Sequence, residues 1–501
     1  MRFSHATLYA RILASDPAYD GQFFTGVLTT GIYCLPSCTA RKPKVENVRF
    51  FSTCEAARAA GLRACKKCHP DDYARGADPV LETIEQVVAE VRAAPENFAD
   101  TAALIRRTGY GATRAGELFR HHFHASPSDL LAQARLEALQ ARLRASPEGS
   151  VTEHAQAVGY ESASVLHEHF RARLGLTPAD WRALADPAAR RFRVQLPKNY
   201  PLAHLRRQLG RDPDSRSERC DGPVFSAAIW LDGVPARLRL HLGNRAVNAE
   251  FFPVESPPNR ALAPHAYRAA ANFLGLGQDT AGFARLARKL GLARLVAGRE
   301  GWSGTRTPDL WDALAWAIVG QQINLAFAFR LRRALAEIAG TPVGDGLIAS
   351  PPAKTVATLD PDGLRARQFS ATKARTLIDT ARLIAHGQLD LDALARGSAT
   401  RAQRTLLAVR GLGPWTVNYV LMRGAGFADC IPYGDTGVTS GLQRLFELEL
   451  RPDVFATRRL MLPFAPWRSL ATAQLWQFNQ PPPEPLANNE GVAKPDLCLS
   501  P

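Results

Sequence analysis

The spacing of hydrophobic positions changes along this chain, and each change marks a different kind of element. From about residue 80, short amphipathic stretches read as helices: TAALIRRTGY ends at Tyr110 and VTEHAQAVGY at Tyr160. Each closes on Gly-Tyr and leads into a second helical stretch and a Ser/Thr-Pro stop, FRHHFHASP at Phe119 to Pro127 and FRARLGLTP at Phe170 to Pro178. The copies lie 51 residues apart, joined by the longer helical run SDLLAQARLEALQARLRAS. Helix, glycine turn, helix and stop, twice over, predicts a tandem helix-turn-helix across residues 80–183.

Around residue 190 the period falls to two. FRVQLP, FSAAIWL, ARLRLHL and AVNAEFF alternate apolar and polar, with LDGVPA and LGNRA as turns. This predicts a small antiparallel α+β subdomain over residues 190–290. Helical spacing then returns in LWDALAWAIVGQQINLAFAFRLRRAL and ATKARTLIDTARLI, predicting an all-α domain over residues 291–480. Residues 481–501, PPPEPLANNEGVAKPDLCLSP, are Pro-rich and polar and predict a disordered tail. The fold class is thus multidomain, mainly α with α+β parts.

Composition narrows the partners. The 501 residues carry 62 Lys+Arg against 47 Asp+Glu, a formal net charge of +15, and the positive side chains are nearly all Arg. Such a surplus points to a polyanion, with double-stranded DNA the leading partner. No stretch approaches the roughly eighteen apolar residues of a transmembrane helix, so no membrane partner is expected. The N-terminal MRFSHATLYARILASDPAYDGQ lacks an apolar signal region, which predicts a cytoplasmic, nucleoid-associated protein. Nothing resembles a dimer zipper, so no oligomer is indicated.

In a reducing compartment, cysteines serve as thiols or metal ligands before disulfides. Of eight, Cys34 and Cys38 form a C-x3-C and Cys65 and Cys68 a C-x2-C after 26 intervening residues. Two close pairs joined by a loop can wrap four thiolates around one Zn²⁺. His69 adjoins Cys68, but four cysteines leave it no vacancy. Arg41, Lys42, Lys44, Lys66 and Lys67 surround the pairs, where they would lower thiol pKa and meet DNA phosphates.

Three resemblances follow. FTGVLTTG running into IYCLPSCTAR, with ENVRFF and GLRACKKCHPDD, resembles the N-terminal zinc domain of the Ada adaptive-response family over residues 1–75. That resemblance implies one zinc on Cys34, Cys38, Cys65 and Cys68, with Cys34 accepting a methyl group from a DNA methylphosphotriester. It also implies a charge switch, since methylating one of four thiolates changes the centre from −2 to −1. The paired helix-turn-helix resembles AraC-type activators. It implies recognition helices at Gly111 to Phe119 and Ser162 to Phe170, with Thr113, Arg114, Glu117, Ser164 and His167 facing promoter DNA, and RNA polymerase as a further partner. No P-C-H-R or P-C-H-K stretch occurs, so the second methyltransferase of full-length Ada is not expected.

The third resemblance rests on LLAVRGLGPWTVNYVLMRG, Leu406 to Gly424. Gly411-Leu412-Gly413 between two amphipathic helices is a tight hairpin whose amides can approach a phosphate. Asp435 follows about twenty residues on in DCIPYGDTGV. With the strand-rich prelude, the turn at Gly320 to Gln322 and FAPWRSLATAQLWQF, this is similar to AlkA-type 3-methyladenine glycosylases of the helix-hairpin-helix superfamily. The resemblance implies Asp435 as the catalytic carboxylate, Trp415, Tyr419 and Trp476 as the base pocket, and Gly411, Gly413 and Gln322 on DNA. Trp415 stands where bifunctional relatives carry a Schiff-base lysine, implying a monofunctional enzyme that leaves an abasic site. Gln322-Ile323 stand where a leucine wedge is expected. No four-cysteine cluster follows Asp435, so no iron–sulfur cluster is expected. The expected function is therefore alkylation repair joined to regulation; a non-enzymatic, alkylation-sensing activator with a damage-binding C-terminal half is the alternative.

Overall fold

The computed structural model describes residues 3–16, 19–146, 148–255 and 260–483. The expected tail falls almost wholly outside these residues.

The first module is a four-stranded sheet behind an N-terminal helix, His5–Leu13, capped by the Ser4 hydroxyl. Phe24–Val27 pairs antiparallel with Ile32–Cys34 and Val48–Phe51, and Ile32–Cys34 pairs in parallel with Arg63–Ala64. Gly26 is required here, because a Cβ would come within 2.4 Å of Leu62 Cδ1 and 2.6 Å of Phe51 Cε2. The sheet thereby carries one cysteine pair at the end of Ile32–Cys34 and the other just beyond Arg63–Ala64.

Seven helices follow, from Pro79–Ala93 to Pro178–Ala183, most of them started by a side-chain cap: Asp78, Asp100, Ser126, Ser162 and Thr177 each accept a backbone N–H. The two repeats are anchored by equivalent phenylalanines. Phe119 and Phe170 are both wholly buried, each contributing roughly 2–3 kcal/mol from area alone. The helices containing them, Ala112–Phe123 and Ala163–Leu174, extend one turn past the expected spans and end on left-handed His124 and Gly175. The copies differ in what lies beneath them. The first has its own core with Leu104, Leu118 and Leu130. The second shares its core with the following sheet, where Trp181 meets Tyr267 edge-on at 5.4 Å and the Tyr267 hydroxyl donates to the Leu174 carbonyl.

That sheet has five antiparallel strands, with Arg191–Gln195 at one edge, then Ala246–Pro253, Val234–Leu242, Val224–Leu231 and finally Glu218–Asp221. Val234–Leu242 buries every second residue, as its alternation dictates. The helix Ala263–Phe273 covers the inner face.

The C-terminal domain is helical with one departure from the expected all-helical run. Thr341–Gly344 and Leu347–Ala349 form a β-hairpin around Asp345-Gly346, a strong turn signal. The hairpin lies against the five-stranded sheet, Ile348 N–H donating to the Arg216 carbonyl while Val343, Leu347 and Ala349 pack with Ala228. Helices divide between two cores. Leu310–Gly320, Ala371–Ala385, Ala399–Ala408 and Pro414–Val420 build one. Thr280–Lys289, Thr436–Leu445 and Arg468–Phe478 build the other. Trp476 packs against both, at the cleft between them.

The modules touch through charged contacts. Glu85 receives Arg401, Asp78 receives Arg404, and Asp16 of the first module receives Arg458 at 3.0 Å. Among the described residues no helix is long and apolar enough to cross a membrane.

Candidate active site and metal centre

The sequence brings four sulfurs to one point. Ligand atoms of Cys34, Cys38, Cys65 and Cys68 lie within 4.8 Å of one another. Hydrogen bonding from Cys34 and Cys68 pulls the Cys38 thiol down to about 2. Hydrogen bonding to Cys38 pushes the Cys34 thiol up, and hydrogen bonding to Cys34 and Cys38 pushes the Cys68 thiol up, so the sulfurs share charge that a cation would have to neutralise. Backbone N–H groups of Leu35 and Lys67 donate to the Cys68 and Cys65 sulfurs at 3.3 and 3.4 Å. Four crowded, oriented sulfurs with no cationic side chain inside the cluster suit a tetrahedral Zn²⁺, and the four cysteines hold one. Lys42 and Lys67 are tied down, Lys42 Nζ donating to the Cys38 carbonyl and Lys67 Nζ to that of Thr39. Arg41, Lys44 and Lys66 stay exposed. In Ala112–Phe123 Arg114 is exposed but paired with Glu117 at 3.2 Å, and in Ala163–Leu174 His167 is exposed.

The second site lies in a cleft of 1580 Å³ lined by Trp415, Tyr419, Asp435, Trp476 and Gln322. Asp435 is the N-cap of Thr436–Leu445, so its carboxylate faces the positive end of that helix. Its Oδ1 accepts from Val438 N–H and from Trp476 Nε1, both at 2.9 Å, and its Oδ2 accepts from Trp415 Nε1 at 3.1 Å. Three donors fix one carboxylate. Gly437 lets this happen, since a Cβ there would come within 2.7 Å of the Trp476 ring. Trp415 stacks on Tyr419 at 5.3 Å and 22°, and Tyr419 meets Trp476 at 6.2 Å. The aromatic set and the acid therefore form one constellation.

The hairpin lies at the rim. Gly411 has φ +90° and its missing Cβ would collide with Thr376 Oγ1 at 2.4 Å, whereas Gly413 has open space around it and caps Pro414–Val420. Gln322 is exposed in a left-handed conformation, φ +54°, just before the Asn324 cap of Leu325–Ala339. Two residues missed in the sequence hold this loop. Gln321 Nε2 donates to the Gly411 carbonyl and to Thr416 Oγ1, both at 3.0 Å. Buried Lys373 donates to the Val319 carbonyl at 2.8 Å and to that of Gln321. The doubled glutamine was a visible signal; nothing local marked Lys373 as a helix cap.

This geometry, a glycine hairpin and a capped aspartate flanking an aromatic cleft, defines a helix-hairpin-helix base-excision fold behind a four-cysteine metal module and a DNA-binding tandem repeat. Family models match in the same order: the metal binding domain of Ada at residues 7–71, a helix-turn-helix domain at 104–184, and the HhH-GPD superfamily base excision DNA repair protein at 315–465. The chain belongs to the AlkA family of base excision DNA repair proteins, in the form preceded by Ada-type metal-binding and helix-turn-helix domains. A Mycobacterium tuberculosis (strain CDC 1551 / Oshkosh) protein named "Probable bifunctional transcriptional activator/DNA repair enzyme AlkA" is 29% identical over 95% of this chain and 98% of its own length. The Bacillus subtilis (strain 168) DNA-3-methyladenine glycosylase is 30% identical over 57% of this chain and 95% of its own. A solved 3-methyladenine DNA glycosylase from Archaeoglobus fulgidus shares the fold, with a TM-score of 0.50 at 20% identity over 57% of this chain and 97% of its own.

Proposed function

We propose that this chain senses and repairs alkylated DNA: the C-terminal half is a monofunctional DNA-3-methyladenine glycosylase II, and the N-terminal half a methyl-accepting transcription regulator. The observation that carries the enzymatic reading is the Asp435 carboxylate held between two indoles inside an aromatic cleft. Alkylated purines such as 3-methyladenine are cationic, so electron-rich faces of Trp415, Tyr419 and Trp476 suit the extruded base. Asp435 stabilises the oxocarbenium-like sugar as the N-glycosidic bond breaks, and water completes hydrolysis. Trp415 offers no amine for a Schiff base, so the product is an intact abasic strand. Gly411 and Gly413 approach the backbone, and Gln322 fills the space the base leaves.

In the sensor half, the zinc on Cys34, Cys38, Cys65 and Cys68 keeps sulfur as thiolate at neutral pH. The Cys34 sulfur attacks the methyl carbon of a methylphosphotriester; a C–S bond forms, the O–CH3 bond breaks, and its electron pair stays on the phosphate oxygen. Arg41, Lys44 and Lys66 meet neighbouring phosphates, while Arg114 and His167 face promoter bases. RNA polymerase is the partner through which the regulator acts, at the nucleoid. Two experiments test the reading. Base release from methylated duplex should vanish in Asp435→Asn, with no strand cut before alkali. Methylphosphotriester DNA should add one methyl mass that Cys34→Ser abolishes. No release from folded wild type would leave the non-enzymatic regulator in the lead.

A further inference from the structure

The helix Pro414–Val420 does not stop behind the aromatic pair. It continues into a wide π-helical turn, Leu421–Ala425, a distortion that costs hydrogen-bond regularity and frequently marks functional sites. At spacing of four, Trp415, Tyr419 and Arg423 fall along one side. Trp415 touches the Asp435 carboxylate and stacks on Tyr419, and the Arg423 guanidinium carbon lies 5.7 Å from the Tyr419 ring centre. The ladder thus descends from the acid to an arginine.

Arg423 is only 7% exposed. Its amino groups donate to Thr305 Oγ1 at 3.0 Å and to the Tyr419 hydroxyl at 3.5 Å, but its Nε is buried without a partner. Arg211 comes from the opposite wall, in the α+β subdomain, and its guanidinium lies 5.5 and 5.4 Å from the Trp316 and Phe329 ring centres. Both arginines line the cleft that holds Asp435. The acids beside them are already taken: Glu218 and Asp312 both face Arg332, at 2.8 and 3.6 Å. Among the described residues no ion pair reaches Arg211 or Arg423, so the cleft floor has guanidinium donors in surplus. Buried donors left unmet are costly, and an acceptor on the extruded base would relieve that cost.

We propose that Arg211 and Arg423 are specificity-determining residues that select, among extruded purines, those with a carbonyl at C6 over those with an amine. The inference rests on the glycosylase reading. The aromatic rings take the flat face of either base. At the edge, a C6 carbonyl oxygen accepts from guanidinium N–H groups. A C6 amine turns its own N–H groups towards those donors, and the unpaired groups discriminate against it.

Methylated duplex DNA supplies a charge-matched pair. Its 7-methylguanine and 3-methyladenine nucleosides are both cationic, and at C6 they differ as carbonyl against amine. With the full chain in excess and both released bases separated from one reaction, Arg211→Met should lower the ratio of 7-methylguanine to 3-methyladenine release about tenfold relative to wild type. Arg423→Lys, which keeps the charge and loses the fork, should move the ratio in the same direction. An unfolded fraction depresses both rates alike and leaves the ratio untouched. A ratio within about twofold of wild type in both variants overturns the proposal while the glycosylase reading stands. Release of neither base by wild type overturns that reading, and this inference with it.

Discussion

Trp476 Nε1 and the backbone N–H of Val438 donate to the same Asp435 oxygen at the same distance, 2.9 Å. The carboxylate is thus fixed from two sides, by the helix it caps and by a side chain from the last helix, Arg468–Phe478. Trp476→Phe would keep most of the ring and remove this donor. A hydrogen bond to a charged group is worth about 1.5–3 kcal/mol, so single-turnover base release should fall roughly 10- to 100-fold. Duplex affinity, measured by fluorescence anisotropy, should change far less. Unaltered release would show that the indole only fills space.

The two hairpin glycines answer to different constraints. Gly411→Ala meets both a positive φ and Thr376, so it should destabilise the chain by about 1–3 kcal/mol in thermal unfolding. Gly413→Ala has ordinary φ and free space, and should leave the melting temperature within about two degrees while weakening duplex binding. Equal losses of stability would mean that the whole hairpin, and not one position, is strained.

Acid should loosen the seam between the helix-turn-helix and glycosylase modules. His124 Nδ1 accepts the Asp429 N–H at 3.2 Å, beside the Asp429–Arg468 pair, and its ring meets Phe427 edge-on. Burial pulls His124 down to about 4 and its neighbour His122 down to about 3. A histidine depressed in the folded state binds fewer protons there than when unfolded. Its stabilisation is complete above the unfolded value near 6.5 and is lost as pH falls towards 4. At pH 5 the loss should be about 1–2 kcal/mol, seen as a lower melting temperature than at pH 8 that His124→Asn reduces.

Periodicity revealed the α+β sheet and the helical runs because burial on one face leaves a direct trace, as Val234–Leu242 shows. The four cysteines and Asp435 were legible because their spacing is local. Other features were not. The contact of Trp476 with Asp435 crosses 41 residues, and Lys373 reaches Val319 across 54. Neither partner carries a local signal of the other. The hairpin at Thr341–Gly344 was missed although Asp345-Gly346 announced it, because strong helical spacing on both sides dominated. The pairing of Arg114 with Glu117 is different, since three-residue spacing on one helix makes such a pair readable from sequence.

The first module borders the glycosylase cleft through a pair that no spacing predicted. Asp16 is 5% exposed at its side chain and lies between Arg11 at 3.3 Å and Arg458 at 3.0 Å. Arg458 also donates to the Ala14 carbonyl at 2.8 Å, and its guanidinium sits 4.9 Å from the Tyr433 ring centre, two residues before Asp435. Arg458→Met would preserve the stem and strip away the charge that answers Asp16. Breaking a buried pair from one side costs about 3–5 kcal/mol when the partner stays buried, and Arg11 should hold the loss towards the lower end. The module can escape the rest of that cost by separating. Arg458→Met should therefore raise the rate at which a protease cuts between residues 75 and 80, with zinc still bound at one per chain. Cutting at the wild-type rate would mean that other contacts of the module, Tyr73 with Arg404 and Arg11 with Phe455, hold it in place without that charge.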